Sequence, residues 1–196
     1  LDTWELDKAA LVGISMGGGL SLGYALANPE RVDRMALIGS YGIQDRAPYH
    51  AFSYFFVRMP WLNDLSWWVA RQSRWAAKAS IKNIIRNPAS RTEALVYEVL
   101  EAMQNTHSQR AFNQWQRDEL QWGYTKTNYT DRLGEIIAPV MLIHGTHDIG
   151  VPLHYAERAA LLLPNGHLET VDGAGHWTQR DEIETVNALL LGFLCN

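Results

Sequence analysis

Five residues near the start of the chain, Gly13-Ile14-Ser15-Met16-Gly17, have the pattern G-x-S-x-G. A serine hydroxyl is a weak nucleophile until a neighbouring base takes its proton. The pattern by itself is common, since composition alone produces it about 0.06 times in a chain of this length. Its setting sharpens it. The apolar run Ala9-Ala10-Leu11-Val12-Gly13-Ile14 suits a buried strand, and Leu20 to Asn28 suits a helix stopped by Pro29. A serine on a sharp turn between the two is lifted above the strand's C-terminal end, where the N–H groups that open the helix favour negative charge. Gly13 and Gly17 remove side chains that would clash in so tight a turn. The competing readings are a glycine-rich turn with a bystander serine and a phosphate loop. The phosphate loop lacks its Lys-Ser/Thr ending, and Gly17-x-Gly19 is followed by Gly23 rather than by a glycine three residues on.

The base and its orienting acid should stand at the same edge of the sheet. Of 7 histidines, His176 in Gly173-Ala174-Gly175-His176-Trp177 follows an apolar strand and precedes the last helix. Two glycines before it give the backbone freedom to present the ring; otherwise it is a surface-loop residue. The acid candidate is Asp148 in His144-Gly145-Thr146-His147-Asp148, directly after the strand Val140–Ile143. Asp172, four residues before His176, is the competing acid and is read as a loop cap. His144, His147 and Asp148 can also be read as metal ligands, but a catalytic zinc needs three ligands facing one point. No metal is expected.

Three blocks position these residues. Residues 1–42 read as strand, helix and second strand (Met35-Ala36-Leu37-Ile38), a βαβ unit with parallel strands. Residues 43–133 read as helices with no convincing strand. In this block Ser90-x-x-Glu93 reads as a capping box and Asn87-Pro88 as a helix start. Leu95, Val96, Val99, Leu100 and Met103 recur there at helical spacing, as do Leu62, Leu65, Trp68, Val69 and Trp75 on one earlier helix. Residues 134–196 return to alternation: a strand after Pro139, a helix Leu153 to Leu163, a strand His167 to Val171 and a helix Gln179 to Leu194. The expected fold class is α/β, a parallel sheet of about four strands with a helical insertion between the second and third.

Composition limits the partners. Lys and Arg number 17 against 21 Asp and Glu, a net charge of −4 with no basic run, so no nucleic-acid partner is expected. A single cysteine, Cys195, excludes an internal disulfide and a cysteine-based metal site. No stretch of 18 apolar residues exists, and no signal peptide opens the chain, so a cytoplasmic protein without a membrane span is expected. Six of the 8 tryptophans fall between Ile43 and Arg132, which sets the middle block apart from its flanks.

Together these features resemble the α/β-hydrolase fold superfamily in its lid-bearing serine hydrolase branch. The resemblance rests on Leu11-Val12-Gly13-Ile14-Ser15-Met16-Gly17-Gly18, Asn28-Pro29-Glu30-Arg31-Val32, His144-Gly145-x-x-Asp148-x-x-Val151-Pro152 and Gly175-His176-Trp177. It covers Lys8 to Ser40 and Ile137 to Leu194, about half of the chain, and the middle block takes the place of a lid. The order Ser15, Asp148, His176 is that of the superfamily. Ser15 argues against its epoxide hydrolase and haloalkane dehalogenase branches, which use an aspartate nucleophile. The resemblance implies a triad of those three residues, no cofactor, and an oxyanion donor at the Met16 N–H. Trp177, Ile149 and Val151 are the candidate substrate contacts.

The sequence departs from the family pattern at its start. The family's first four strands and the loop carrying a second oxyanion donor have no counterpart, and Asp2 to Asp7 resembles the tail of the helix before the nucleophile strand. Loss of one such donor costs roughly 100- to 1000-fold in rate. Strand Ala9–Ile14 should then expose an apolar edge. The chain is therefore expected to be a fragment of a longer enzyme, weakly active or inactive alone. Cleavage of a small to medium apolar ester is the leading expectation for that enzyme, because aromatic walls suit acyl or aryl groups. Hydrolysis of a carbon–carbon bond in ring-cleavage products is the alternative, followed by acyl transfer and by a ligand-binding homologue without turnover.

Overall fold

The computed structural model describes residues 1–195; residue 196, the last of the third block, lies outside them. Strand β1 (Ala9–Ile14) leads into helix α1 (Met16–Ala27), and β2 (Val32–Ile38) follows. Then come α2 (His50–Val57), α3 (Pro60–Arg71), α4 (Arg74–Ile84), α5 (Glu93–Gln104) and α6 (Thr106–Glu119). A short hairpin of β3 (Leu120–Gln121) and β4 (Tyr124–Thr125) closes this stretch. The chain ends with β5 (Val140–Gly145), α7 (Leu153–Leu162), β6 (Gly166–Val171), α8 (Thr178–Asp181) and α9 (Ile183–Leu194). Among the described residues no helix is long and apolar enough to cross a membrane.

The main sheet has the order β1-β2-β5-β6, with every pairing parallel. Its register aligns Ile14 with Ile38, Ile38 with Ile143, and Gly145 with Val171, which brings the C-terminal strand ends to one edge. Alternation along β2 divides the core between two faces. Met35 and Leu37 pack with Leu22 of α1 and Ala156 of α7, while Ala36 and Ile38 pack with Val186 of α9. All six residues of β5 are buried, as expected of a strand covered on both faces. At the edge of the sheet, β1 leaves Val12 48% exposed. A third cluster, Ala77, Ile81, Ile85, Leu95 and Val96, joins α4 to α5.

The α/β architecture is as expected, while several elements differ in detail. The middle block is not purely helical: β3 and β4 form around Gly123, whose φ of 83° makes the two-residue turn possible. Thr92 rather than Ser90 caps α5, its hydroxyl accepting from Leu95 N at 3.2 Å. Ser90 ends a 3₁₀ turn, Pro88–Ser90, capped by Asn87. The single helix expected through Trp75 breaks after Arg71, because Ser73 caps a new one. Its apolar stripe does not turn inward: Leu65, Trp68 and Val69 are about half-exposed, and Trp75 is 79% exposed. The final helix is interrupted at Glu182, and Asp2–Trp4 forms one 3₁₀ turn.

Candidate active site

The turn from β1 into α1 places Ser15 with φ 50° and ψ −114°, a conformation that L-residues avoid at a cost of roughly 1–3 kcal/mol. Its surroundings hold it there. Ser15 N donates to Ile38 O at 2.9 Å, and Ser15 O accepts from Gly18 N and Tyr41 N, each at 2.9 Å. A Cβ on Gly13 would lie 2.5 Å from Gly17 O, so the close return of the helix onto the strand requires glycine there. Met16 is the first residue of α1, and its N–H has no acceptor within the helix.

The loops after β5 and β6 bring two further side chains to the same edge. Asp148 Oδ1 accepts from the N–H groups of Gly150 at 2.7 Å and Val151 at 2.9 Å. Its Oδ2 stands 2.9 Å from His176 Nδ1, and His176 Nε2 stands 2.9 Å from Ser15 Oγ. A carboxylate facing Nδ1 fixes the tautomer: Nδ1–H donates to Asp148, leaving the Nε2 lone pair for the serine proton. Gly39 gives this contact its room. With φ 50°, it lies where a Cβ would come within 3.2 Å of Asp148 Oδ2 and 3.0 Å of His176 O. The competing acid, Asp172, is turned away and accepts from Thr146 Oγ1 at 3.2 Å.

Two residues behind the site take parts that the sequence did not indicate, His144 having been weighed there only as a metal ligand. His144 is buried, its Nε2 2.7 Å from Val151 O and 3.4 Å from Asp148 Oδ2. Burial pushes its pKa below the usual 6.5 despite the carbonyl of Val151 and the charge of Asp148, so the ring is neutral and Nε2–H donates to Val151. The Asp148 contact is therefore no ion pair at neutral pH. Asp181 is the second. This buried carboxylate accepts from Gly175 N at 2.6 Å, Arg86 N at 3.0 Å and Asn87 N at 2.8 Å, tying the His176 loop to the end of α4. Only the fold reveals it, because its partners are backbone groups that carry no residue-type signal.

A cavity of about 300 Å³ opens beside the Ser15–His176 pair. Gly150 and Val151 form its floor, and Phe112, Trp115 and Leu120 form an apolar wall. Tyr41 and Glu119 also line it, joined by a 2.9 Å hydrogen bond from the Tyr41 hydroxyl, as do Gln44, Ser53 and Gln116. Burial first, then the charge of Glu119, raises the Tyr41 pKa. Of the expected substrate contacts, Val151 lines the cavity, whereas Ile149 and Trp177 do not. Ile149 is exposed. Trp177 packs on the α4–α5 cluster, with its backbone N–H donating to Ile84 O at 2.9 Å. His147 is exposed while His144 is buried, so the two do not face one point. No cluster of three or more His, Cys, Asp and Glu that could hold a metal ion occurs among the described residues.

A parallel α/β sheet with a serine on its strand-to-helix turn and a histidine and an aspartate at the same edge defines a class. A sequence model described as alpha/beta hydrolase fold matches residues 1–182, and the chain belongs to that family. Its similarities extend to individual proteins. The 2-hydroxy-6-oxononadienedioate/2-hydroxy-6-oxononatrienedioate hydrolase of Cupriavidus pinatubonensis is 28% identical over 198 residues, covering 100% of this chain and 65% of that protein. A meta-cleavage product hydrolase from Pseudomonas fluorescens IP01 has a TM-score of 0.79 at 24% identity, over 98% of this chain and 66% of that one. The carboxylesterase CesB from Bacillus subtilis has a TM-score of 0.74 at 25% identity, over 99% and 62%. The chain spans about 65% of the length of the Cupriavidus relative.

Proposed function

We propose that Ser15, His176 and Asp148 are the nucleophile, base and orienting acid of a hydrolase that cleaves a carbon–carbon bond beside a carbonyl. The relay of 2.9 Å contacts from Ser15 Oγ through His176 to Asp148 carries this reading. As Oγ adds to the carbonyl carbon, its proton passes to His176 Nε2, and Asp148 stabilises the imidazolium through Nδ1–H. In this reading the Met16 N–H, at the first residue of α1, shares the charge on the carbonyl oxygen. When the carbon–carbon bond breaks, its electron pair goes to the departing carbon, which takes the proton from Nε2. Water then attacks the acyl-serine, and His176 serves again as base. Residues 43–133 act as a lid over a catalytic core made of residues 1–42 and 134–196.

The same attack opens an ester, so the bond chosen depends on the leaving group. A carbon leaving group needs a conjugated carbonyl to hold the electron pair. The substrate in the name of the Cupriavidus relative, an oxo-dienedioate or -trienedioate, has that conjugation, which favours carbon–carbon cleavage over the ester expected at first. Ester cleavage is the second reading, favoured by the likeness to the B. subtilis carboxylesterase.

A fluorophosphonate probe should label the protein at Ser15, with no labelling of Ser15→Ala. An unlabelled Ser15 refutes the nucleophile assignment. The wild-type protein should turn over a 2-hydroxy-6-oxo dienoate faster than a p-nitrophenyl ester of similar size. The reverse preference transfers the conclusion to ester hydrolysis.

A further inference from the structure

Helix α3 is amphipathic, but its apolar stripe faces outward. At about 100° per residue, Trp61, Leu65 and Trp68 share one stripe, with Val69 at its border. Trp61 is 69% exposed, and the other three are about half-exposed. The inward side carries Asn63 instead, buried with neither its amide nitrogen nor its amide oxygen hydrogen-bonded. Water on the outer side makes this arrangement costly, because the apolar stripe stays hydrated while a polar side chain is buried. An apolar medium on that side removes the first cost.

Cations flank the stripe. Leu65 and Trp68 meet Arg71 and Arg110 in a groove of about 420 Å³ between α3 and α6, where Asp64 is the single acid. Among the described residues neither guanidinium takes part in an ion pair. The acids of α5, Glu93, Glu98 and Glu101, do not line the groove; Glu93 is held by Arg74 and Lys78, and Glu98 by Arg180. The net charge of −4 conceals this segregation. From Arg46 to Arg91 there are 8 Lys and Arg against the lone Asp64, while the rest of the chain has 9 against 20 acids. A charge of +7 here therefore opposes −11 elsewhere. Helix α4, next in the chain, exposes Lys82 and Trp75.

A second copy related by a two-fold axis at the groove would bring its own Arg71 and Arg110 against these, like charge to like. A nucleic-acid backbone would pair with the cations but leave Leu65 and Val69 in water. An anionic lipid surface meets both needs. Tryptophan and leucine enter the boundary between headgroups and acyl chains, and the guanidinium groups face the lipid phosphates. We propose that α3, with Arg71 and Arg110 beside it, docks this protein on an anionic lipid surface. With 12 residues, or about 18 Å of length, the helix lies in the plane of the interface and does not span it. Helix α6, which supplies Arg110, also lines the cavity beside Ser15 with Phe112 and Trp115, so the docked face and the cavity share a helix.

Flotation of the full chain with phosphatidylcholine vesicles, with and without one-third phosphatidylglycerol, tests the docking. Partition into the anionic vesicles should be roughly 10-fold or more the stronger, and should weaken in high salt. Replacing both cations, Arg71→Gln with Arg110→Gln, should weaken it roughly 20- to 30-fold, at about fivefold per charge. Trp61→Ser with Trp68→Ser, two exposed positions, should weaken it at least about 10-fold. Lys8→Gln, an exposed cation before β1, should change it less than about 2-fold. Absence of vesicle binding, equal binding to both compositions, or binding that survives both double substitutions would overturn the proposal. Sedimentation of the free protein covers the remaining occupant. A dimer that Trp61→Ser with Trp68→Ser separates, without vesicle binding, would give the face to a second copy and overturn it as well.

Discussion

The loops at the edge of the sheet and the helices between β2 and β5 are held by different forces. Ser15, Asp148 and the His176 loop are fixed by backbone hydrogen bonds that converge from β1, β2, β5 and α4, with glycines where two segments nearly touch. The helices rest on the small cluster of α4 and α5 and on aromatic contacts such as Tyr41 against Trp115, and α3 leaves much of its apolar stripe uncovered. Precision resides in the loops and latitude in the helices. A nucleophile must be placed to within fractions of an ångström, whereas the enclosure of a substrate tolerates displacement.

The sharpest break of this contrast is at the relay itself. His176→Ala should reduce turnover on the order of 10⁴- to 10⁶-fold, while the thermal midpoint moves little, because the ring's polar contacts are those to Ser15 and Asp148. A melting temperature lowered along with activity would show that the loop, and not the base, had been lost.

Asp181 tests whether the precision is inherited from the backbone. Asp181→Ala strips the acceptor from three N–H groups at once and should lower stability by about 2–4 kcal/mol in denaturant titration. Activity should fall further than stability, since Gly175 immediately precedes His176, the proposed base. A loss below about 1 kcal/mol would mean that water satisfies those groups and that the loop is held by its packing.

The two regions also differ in what the sequence reveals. Ser15, Asp148 and His176 were legible because each follows an apolar strand at a parallel sheet's C-terminal edge, so periodicity and a few glycines locate them. The four strands of the main sheet were legible for the same reason, down to the bounds of β1, whereas the two-residue strands β3 and β4 were not. Asp181 was not, because it acts through backbone groups whose positions come only from the folded chain. On α3, helical spacing correctly marked Leu65, Trp68 and Val69 as one face. Periodicity identifies a face without saying what covers it, and these three residues are about half-exposed.

His144 sharpens the contrast through pH. In the folded protein its pKa lies below 6.5 because burial outweighs the favourable pull of Val151 O, Asp148 and Glu157, with His176 adding to the depression. The unfolded chain therefore binds a proton on this ring at higher pH than the folded one. Stability on this account is fully present above about pH 6.5 and is lost as pH falls through the window below it. His144→Asn, which keeps a side-chain donor toward Val151, should flatten the dependence in that window when unfolding is followed at several pH values. An unchanged slope would assign the acid sensitivity to another group.

The smallest expected effect belongs to the helices. Trp75 is 79% exposed on α4, so Trp75→Ser removes little buried area, and stability should change within about 0.5 kcal/mol. Leu22→Ala, a comparable deletion of apolar surface in the core beneath α1, should cost about 2–5 kcal/mol by the same measurement. A Trp75→Ser loss approaching that of Leu22→Ala would mean that this face is covered in solution, and the loosely held region would prove as constrained as the loops it borders.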